Sequence, residues 1–216
     1  MTKIVAVNAS PRTSWNTAQL VKEAAEGAKS KGAEILYFDL YKQEKFTGCI
    51  SCFGCKKAPN IGKCICRDGL APILDAVREA DGLIIGTPNY LGNISSGLRA
   101  LYERLVFQSL TYKREPRSYN ERMIPVLFIM TSNCAEDMYE KIGYGTLLEG
   151  YQKSLATFVG STKLLIAGNT LQVNDYSPYD WTMFDPEAKK AYHDEHFGAK
   201  KEEAFALGTE MVDTPW

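Results

Sequence analysis

Histidine is scarce in this chain: the 216 residues hold two, His193 and His196. Two imidazoles are too few for a three-histidine metal centre. Both lie late in the chain and are expected at the surface. No run of about eighteen apolar residues occurs, so no membrane-spanning helix is expected. The opening residues MTKIVAVNAS lack the charged region, apolar stretch and cleavage site of a signal peptide, which makes a cytoplasmic location the expectation. Neither sign of charge is in excess, with 25 Lys+Arg against 26 Asp+Glu and a net charge of -1. A chain without a basic surplus is not expected to bind nucleic acid. The GxGxxG fingerprint is missing, which weakens a dinucleotide-binding reading, and the Walker A glycine–lysine pattern is missing too, which weighs against NTP hydrolysis.

What is present is an ordinary globular core composition, 45% apolar, in a length that fits one domain over residues 1–216. Lys3 to Val7 is a short β-branched apolar run, as expected of a strand buried on both faces. Thr17 to Ser30 carries apolar residues at helical spacing and ends at Gly32. Glu34 to Phe38 is a second strand, which makes a βαβ unit with parallel strands. Further helices are expected over Leu70–Ala80, Ile94–Gln108, Met138–Val159 (interrupted at Gly143 and Gly145) and Asp185–Val212. Further strands are expected over Gly82–Gly86, Ile124–Thr131 and Lys163–Ala167. Strands alternating with helices give an α/β protein. Five strands favour a flavodoxin-like three-layer sandwich with a parallel sheet of order 2-1-3-4-5. In such sheets ligands bind outside the carboxyl ends of the strands.

The loop after the first strand runs from Asn8 to Thr17. Ser10, Arg12, Ser14, Asn16 and Thr17 bring hydroxyls, an amide and a guanidinium to a helix N-terminus, the composition of an anion site. The plainer reading is a turn with Asn16 capping the helix. The loop after the third strand is Thr87 to Ser96. Pro88 stops the strand. Asn89, Tyr90, Leu91, Gly92 and Asn93 add a ring, amides and flexible backbone, which suit a flat heteroaromatic ligand. The plainer reading is a connection with Ser95 or Ser96 as helix cap.

Cysteine use is uneven: five of the six lie between Cys49 and Cys66, with Cys134 apart. The segment spans about residues 44–69, between the second strand and the next helix. Cys49, Cys52 and Cys55 sit at two-residue intervals, the compact opening of a [4Fe-4S] motif, with Cys64 or Cys66 to close it. Zinc and free thiols are the alternatives. Lys56, Lys57 and Lys63 either offset thiolate charge or form a solvated face. Cys134 is expected to be a small, partly buried residue.

Taken together, Ser10-Pro11-Arg12 with Asn16-Thr17, Thr87 to Asn93, and Leu98 to Leu105 resemble the flavodoxin-like NAD(P)H-dependent FMN reductases. The cysteine segment narrows the resemblance to their iron–sulfur flavoproteins. The resemblance implies an FMN phosphate on Ser10, Arg12, Asn16 and Thr17, with the ring against Pro88, Asn89, Tyr90, Leu91, Gly92 and Asn93. It also implies an oxidoreductase driven by NAD(P)H or by a redox partner such as a ferredoxin, and a homo-oligomer, dimer or tetramer. A [4Fe-4S] cluster on Cys49, Cys52, Cys55 and Cys64 would exchange electrons with FMN. A flavodoxin-like carrier without turnover, or a reductase lacking a cluster, is the alternative. The chain departs from the family at Asn8 and Ala9, at a longer gap before Cys64, and at Thr131-Ser132-Asn133, where many relatives have glycine. The aromatic segment Tyr176 to Phe184, in an extension from about residue 170, is expected to cover its own domain or reach a neighbouring subunit's flavin site.

Overall fold

The computed structural model describes residues 1–216. Its elements are β1 (Lys3–Asn8), α1 (Asn16–Ser30), β2 (Glu34–Asp39), α2 (Ala71–Glu79), β3 (Gly82–Pro88), α3 (Ser96–Ser109), β4 (Val126–Thr131), α4 (Tyr144–Phe158), β5 (Thr162–Ala167) and α5 (Pro186–Asp213). The five strands form one parallel sheet of order β2-β1-β3-β4-β5, as the alternation of elements leads one to expect.

The central strands are apolar on both faces because both faces are covered. Alternate residues serve different layers. Val5, Val7, Leu83, Ile85, Val126 and Phe128 pack with Ile73, Leu98, Leu101, Leu148 and Leu155 of α2, α3 and α4. Ile4, Ala6, Ile84, Leu127 and Ile129 pack with Leu20, Val21 and Ala24 of α1 and with Phe197, Ala204 and Met211 of α5. The α1–α5 layer is closed by two glycines. A Cβ on Gly27 would fall 2.0 Å from the Phe205 carbonyl oxygen, and one on Gly208 1.8 Å from that of Ala24. An alanine there would force the helices apart, at a cost of about 1–3 kcal/mol.

The glycine interruption before α4 falls at Gly143 alone, and Gly145 lies in the first turn of the helix. A short helical turn covers Glu136–Met138, and α4 starts only after Gly143, whose φ is +80°. Asp185 caps α5, its side chain accepting from the Glu187 and Ala188 amides, with Pro186 in the first turn. Parallel register aligns Asn8 with Asp39 and Gly86, Pro88 with Thr131, and Thr131 with Ala167. The loops that follow β1, β3, β4 and β5 therefore emerge along one edge.

Candidate functional site

Side chains, not glycines, stitch the loops at this edge together. Asn8 Nδ2 donates to Asp39 Oδ1 at 2.8 Å, and its Oδ1 accepts from the Ser10 amide at 3.1 Å. Ser95 caps α3 by accepting from the Leu98 amide, and its hydroxyl donates to the Ala9 carbonyl at 2.7 Å. Thr17 and Thr131 share a buried hydroxyl–hydroxyl bond of 2.7 Å. The Asn89 amide donates to the Thr131 carbonyl at 2.7 Å.

A cleft of about 320 Å³ opens between these loops. Of the residues singled out in the sequence, Ser10, Arg12, Asn16, Thr17, Pro88, Asn89 and Tyr90 line it. Ser14 is exposed and is not part of the cleft wall; its backbone carbonyl accepts from Gln19 Nε2. Leu91, Gly92 and Asn93 also lie off the cleft wall. Tyr90 to Asn93 is a tight turn, with Tyr90 and Asn93 bonded through both backbone groups and positive φ at Leu91 and Gly92. Its tip, Leu91, is fully exposed. The Asn93 side chain accepts from the Tyr151 hydroxyl at 2.8 Å. Burial pushes the Tyr90 phenol up.

Asn16 does not cap α1. The cap residue is Trp15, whose side chain makes no capping bond. Asn16 Nδ2 and Trp15 Nε1 both donate to the Leu171 carbonyl, at 2.7 and 2.9 Å. The amide of Asn16 is thereby drawn outward to the loop after β5. The amides of Asn16, Thr17 and Ala18 have no acceptor within the protein. Arg12 spans the mouth of the cleft, stacked 4.6 Å over Trp15 and donating to the Gln172 carbonyl at 2.5 Å. On the opposite wall the Asn89 Oδ1 accepts from the Gly92 amide, whereas its Nδ2 is buried with no acceptor. The cleft thus offers unmatched donors at both ends: helix amides on one side and a carboxamide N–H on the other. Donors left unmatched in this way suit a ligand with an anionic group and carbonyl or ring-nitrogen acceptors.

Trp15, Thr131, Ser132, Asn133, Thr170, Leu171 and Gln172 complete the lining. The last three follow β5, whose loop carried no motif. Only the rule that parallel strands end at one edge could have pointed to it. Lys189, 5% exposed on α5, holds this wall by donating to Asn133 Oδ1 and Asn169 Oδ1. Burial pulls its pKa down.

The cysteine segment forms a second constellation. Cys49, Cys52, Cys55, Cys64 and Cys66 all line one small apolar pocket, together with Ile50, Phe53, Ile65 and Phe107. All six cysteines are free thiols. Burial pushes the Cys55 thiol up, and burial also pushes up that of Cys134, which is half-buried as expected. The free space of this pocket is about 20 Å³, room for about one water. No three ligating side chains surround a common metal position. The donor set suits a thiolate-bound group, and loading one would require the segment to open around it. Ser51 and Phe53 sit in the left-handed region at φ 53° and 57°, a strained geometry for residues other than glycine.

Helix α3 holds this segment at four points. The Cys49 amide donates to Glu103 Oε2 at 3.3 Å, and the Cys64 amide to Gln108 Oε1 at 3.1 Å. Lys56 donates to the carbonyls of Phe107, Gln108 and Leu110, capping the helix C-terminus. Arg104, 2% exposed, pairs with Asp68 at 2.5 Å and donates to the Cys66 carbonyl at 2.7 Å. Lys63 pairs instead with Asp75 at 3.4 Å, and Lys57 is exposed. Of the three lysines, Lys56 alone turns into the protein, because the unpaired carbonyls at the end of α3 attract it.

His196 is exposed, but His193 is not a plain surface residue. It stacks on Phe197 with ring centroids 4.5 Å apart, and its buried Nδ1 has no acceptor. Burial pulls the His193 pKa down. The aromatic segment stacks on itself: Tyr179 and Trp181 lie 4.3 Å apart and Tyr176 and Phe184 5.6 Å apart. Trp181 and Met183 remain exposed. No helix is long and apolar enough to cross a membrane.

The sequence model for NADPH-dependent FMN reductase matches residues 2–136, a span that holds β1 through β4, both predicted flavin loops and the cysteine segment. The chain belongs to this family. Within it, an iron-sulfur flavoprotein of Methanocaldococcus jannaschii is 37% identical over 102 residues, 47% of this chain and 51% of that protein. One from Archaeoglobus fulgidus is 34% identical over 104 residues, 47% of this chain and 48% of that protein. The chain spans about half the length of the curated relatives it matches. Among solved structures, the NAD(P)H:quinone oxidoreductase from Methanothermobacter marburgensis superposes with a TM-score of 0.68 at 12% identity, over 97% of this chain and 96% of that one. An FMN-dependent NADH-azoreductase from Bacillus anthracis in complex with FMN gives 0.64 at 17% identity, over 99% of this chain and 100% of that one. Likeness at that level of identity supports the fold of the family and its sheet order.

Proposed function

We propose that this chain is an FMN-dependent oxidoreductase of the NADPH-dependent FMN reductase family that takes electrons from NAD(P)H and passes them on through its cysteine segment. One observation carries the FMN reading. Asn16 and Thr17, whose backbone amides are unmatched, and Asn89, whose Nδ2 is orphaned, line one cleft. The first set suits the phosphate, with Ser10, Thr17 and Arg12 beside it. The second suits an acceptor on the ring, with Pro88 and Tyr90 as flat walls and Thr131 to Asn133 toward the pyrimidine edge. When bound, FMN supplies the chemistry: it accepts electrons in pairs and releases them singly. The residues around it hold and orient it, so no acid–base side chain is required.

The finer part of the proposal is that Cys49, Cys52, Cys55 and Cys64 hold a [4Fe-4S] cluster. Five thiols on one apolar pocket support it, as do the iron-sulfur flavoproteins among the relatives. Arg104, Phe107 and Gln108 of α3 line the pocket, and the cap of the same helix, Ser95, is bonded to the loop after β1. Glu103 to Gln108 stand about 10–20 Å along that helix from its cap at Ser95.

Fluorescence titration of FMN with colourless apoprotein tests the first part, and strong quenching is expected. Unchanged fluorescence would overturn it. Reconstitution with ferrous iron and sulfide under anaerobic conditions tests the second part. Broad sulfur-to-iron absorption with about four irons per chain is expected. Oxidation of NADPH in the presence of excess acceptor separates a reductase from a carrier, which shows none alone. The same proposal includes a second copy of the chain against the exposed Tyr179, Trp181 and Met183. A monomer by light scattering with a full complement of FMN would remove that part.

A further inference from the structure

Arg104 is the largest fully buried side chain of the protein, and it lies on the wall of the cysteine pocket. Its terminal nitrogens are satisfied. Nη1 donates to Asp68 Oδ1 at 2.5 Å and to the Thr47 carbonyl at 3.4 Å, and Nη2 donates to the Cys66 carbonyl at 2.7 Å. Its third donor, Nε–H, is buried with no acceptor. A buried donor on a charged group is costly to leave unmatched, so it implies a partner. Gln108 Oε1, the side-chain oxygen on the pocket wall, already accepts from the Cys64 amide. The other side-chain acceptors on the pocket wall are the five sulfurs.

We infer that Arg104 Nε–H donates a hydrogen bond to a sulfur of the thiolate-bound cluster held by the cysteine segment and thereby raises its reduction potential. This inference rests on the proposal that the segment holds a cluster. The physical reason is that a hydrogen bond to a ligand sulfur withdraws electron density and favours the reduced form. The residue is a tuning group: it carries no electron and makes no bond to iron. In the closed segment its guanidinium is tied by Asp68 and by the Thr47 and Cys66 carbonyls, which places Nε on the pocket wall. Lysine in its place would keep a cation for Asp68 but would put a methylene where Nε stands.

The test is an EPR-monitored redox titration of the reconstituted holoprotein and its variants, with iron and FMN counted per chain. Arg104→Lys is expected to load iron and FMN as the parent does and to titrate at a lower potential. Asp68→Asn keeps Nε and removes a negative charge, so its potential is expected to stay or rise. An unchanged potential in Arg104→Lys overturns the inference. So does an equal drop in both variants, which would mean that a disturbed loop is responsible. If Arg104→Lys does not fold or load, the parent protein decides the matter. With ¹⁵N-labelled arginine, pulsed EPR of the reduced cluster is expected to show coupling to one guanidinium nitrogen, and no coupling overturns the inference. Failure of the parent to take up iron would be a different result, because it removes the cluster proposal itself.

Discussion

The cleft over the sheet and the pocket of thiols are built in opposite ways. The cleft is a by-product of topology. Four parallel strands end together, and the loops leaving them are tied by short polar bonds such as Thr17–Thr131 and Ser95–Ala9. Its shape therefore follows from the register of the core. The cysteine pocket has no strand beneath it. It is an irregular segment clamped to the flank of α3 by Arg104–Asp68, Lys56 and two amides. One site inherits its rigidity from the sheet, whereas the other depends on a few buried charges. The two sites should therefore fail separately, and differently.

The most severe way to test that separation is to remove thiols. Cys52→Ser with Cys55→Ser is expected to take iron from about four per chain to none, with FMN affinity unchanged. Loss of FMN in the same variant would mean that the segment supports the cleft, and the contrast drawn above would collapse. The reciprocal change is Asn89→Ala. Removing a buried donor to a bound ligand costs about 1–3 kcal/mol, so the Kd for FMN should rise about tenfold or more. Iron uptake should not change. An Asn89→Ala protein that binds FMN as the parent does would show that the orphaned N–H faces no ligand.

The same contrast explains what was legible in the sequence. The sheet order and nearly every element could be read because the apolar runs are short, β-branched and separated by helical periodicity. The strand-end loops could be found because topology says where to look. Bonds made by backbone carbonyls leave no trace in a sequence, so Leu171 and Gln172 could not be seen as anchors of Trp15, Asn16 and Arg12. The cysteine segment was visible from spacing alone, yet the groups that hold it were not. Nothing in the sequence singles out Arg104 as a buried charge, and Lys56 reads there either as an offset to thiolate charge or as part of a solvated face. Each is turned inward by a partner distant in sequence, Asp68 for one and the end of α3 for the other.

Arg12 probes the outer rim of the cleft, and its effect should be smaller. It is exposed and already engaged by Trp15 and the Gln172 carbonyl, so its charge is screened by solvent. Arg12→Ala is expected to weaken FMN binding about fivefold, for a loss of about 1 kcal/mol, and to leave riboflavin binding unchanged. Equal losses for the two ligands would place Arg12 at the ring rather than the phosphate. Raising the salt concentration should narrow the gap between parent and variant.

Acid should produce the mildest effect, and it should appear at the clamp alone. Burial would raise the Asp68 carboxyl, but the bonds it accepts from Arg104 and from the Thr47 and Leu70 amides outweigh burial and hold it below the usual carboxylate value. A carboxyl depressed in the folded state stabilises that state at pH above the unfolded value of about 3.9, and the stabilisation is lost as pH falls through the lower folded value. Hydrogen exchange of the Thr47 and Leu70 amides, measured on the apoprotein and corrected for the intrinsic pH dependence of exchange, reports this directly. Protection in the parent should exceed that in Asp68→Asn at pH 5, and the difference should shrink steadily below about pH 4. Amides in the centre of the sheet, such as those of Ile84 and Leu127, should keep equal protection in both proteins over the same range. If the sheet amides lose protection together with Thr47 and Leu70, the clamp is part of the global fold and the cysteine segment has no separate stability to lose.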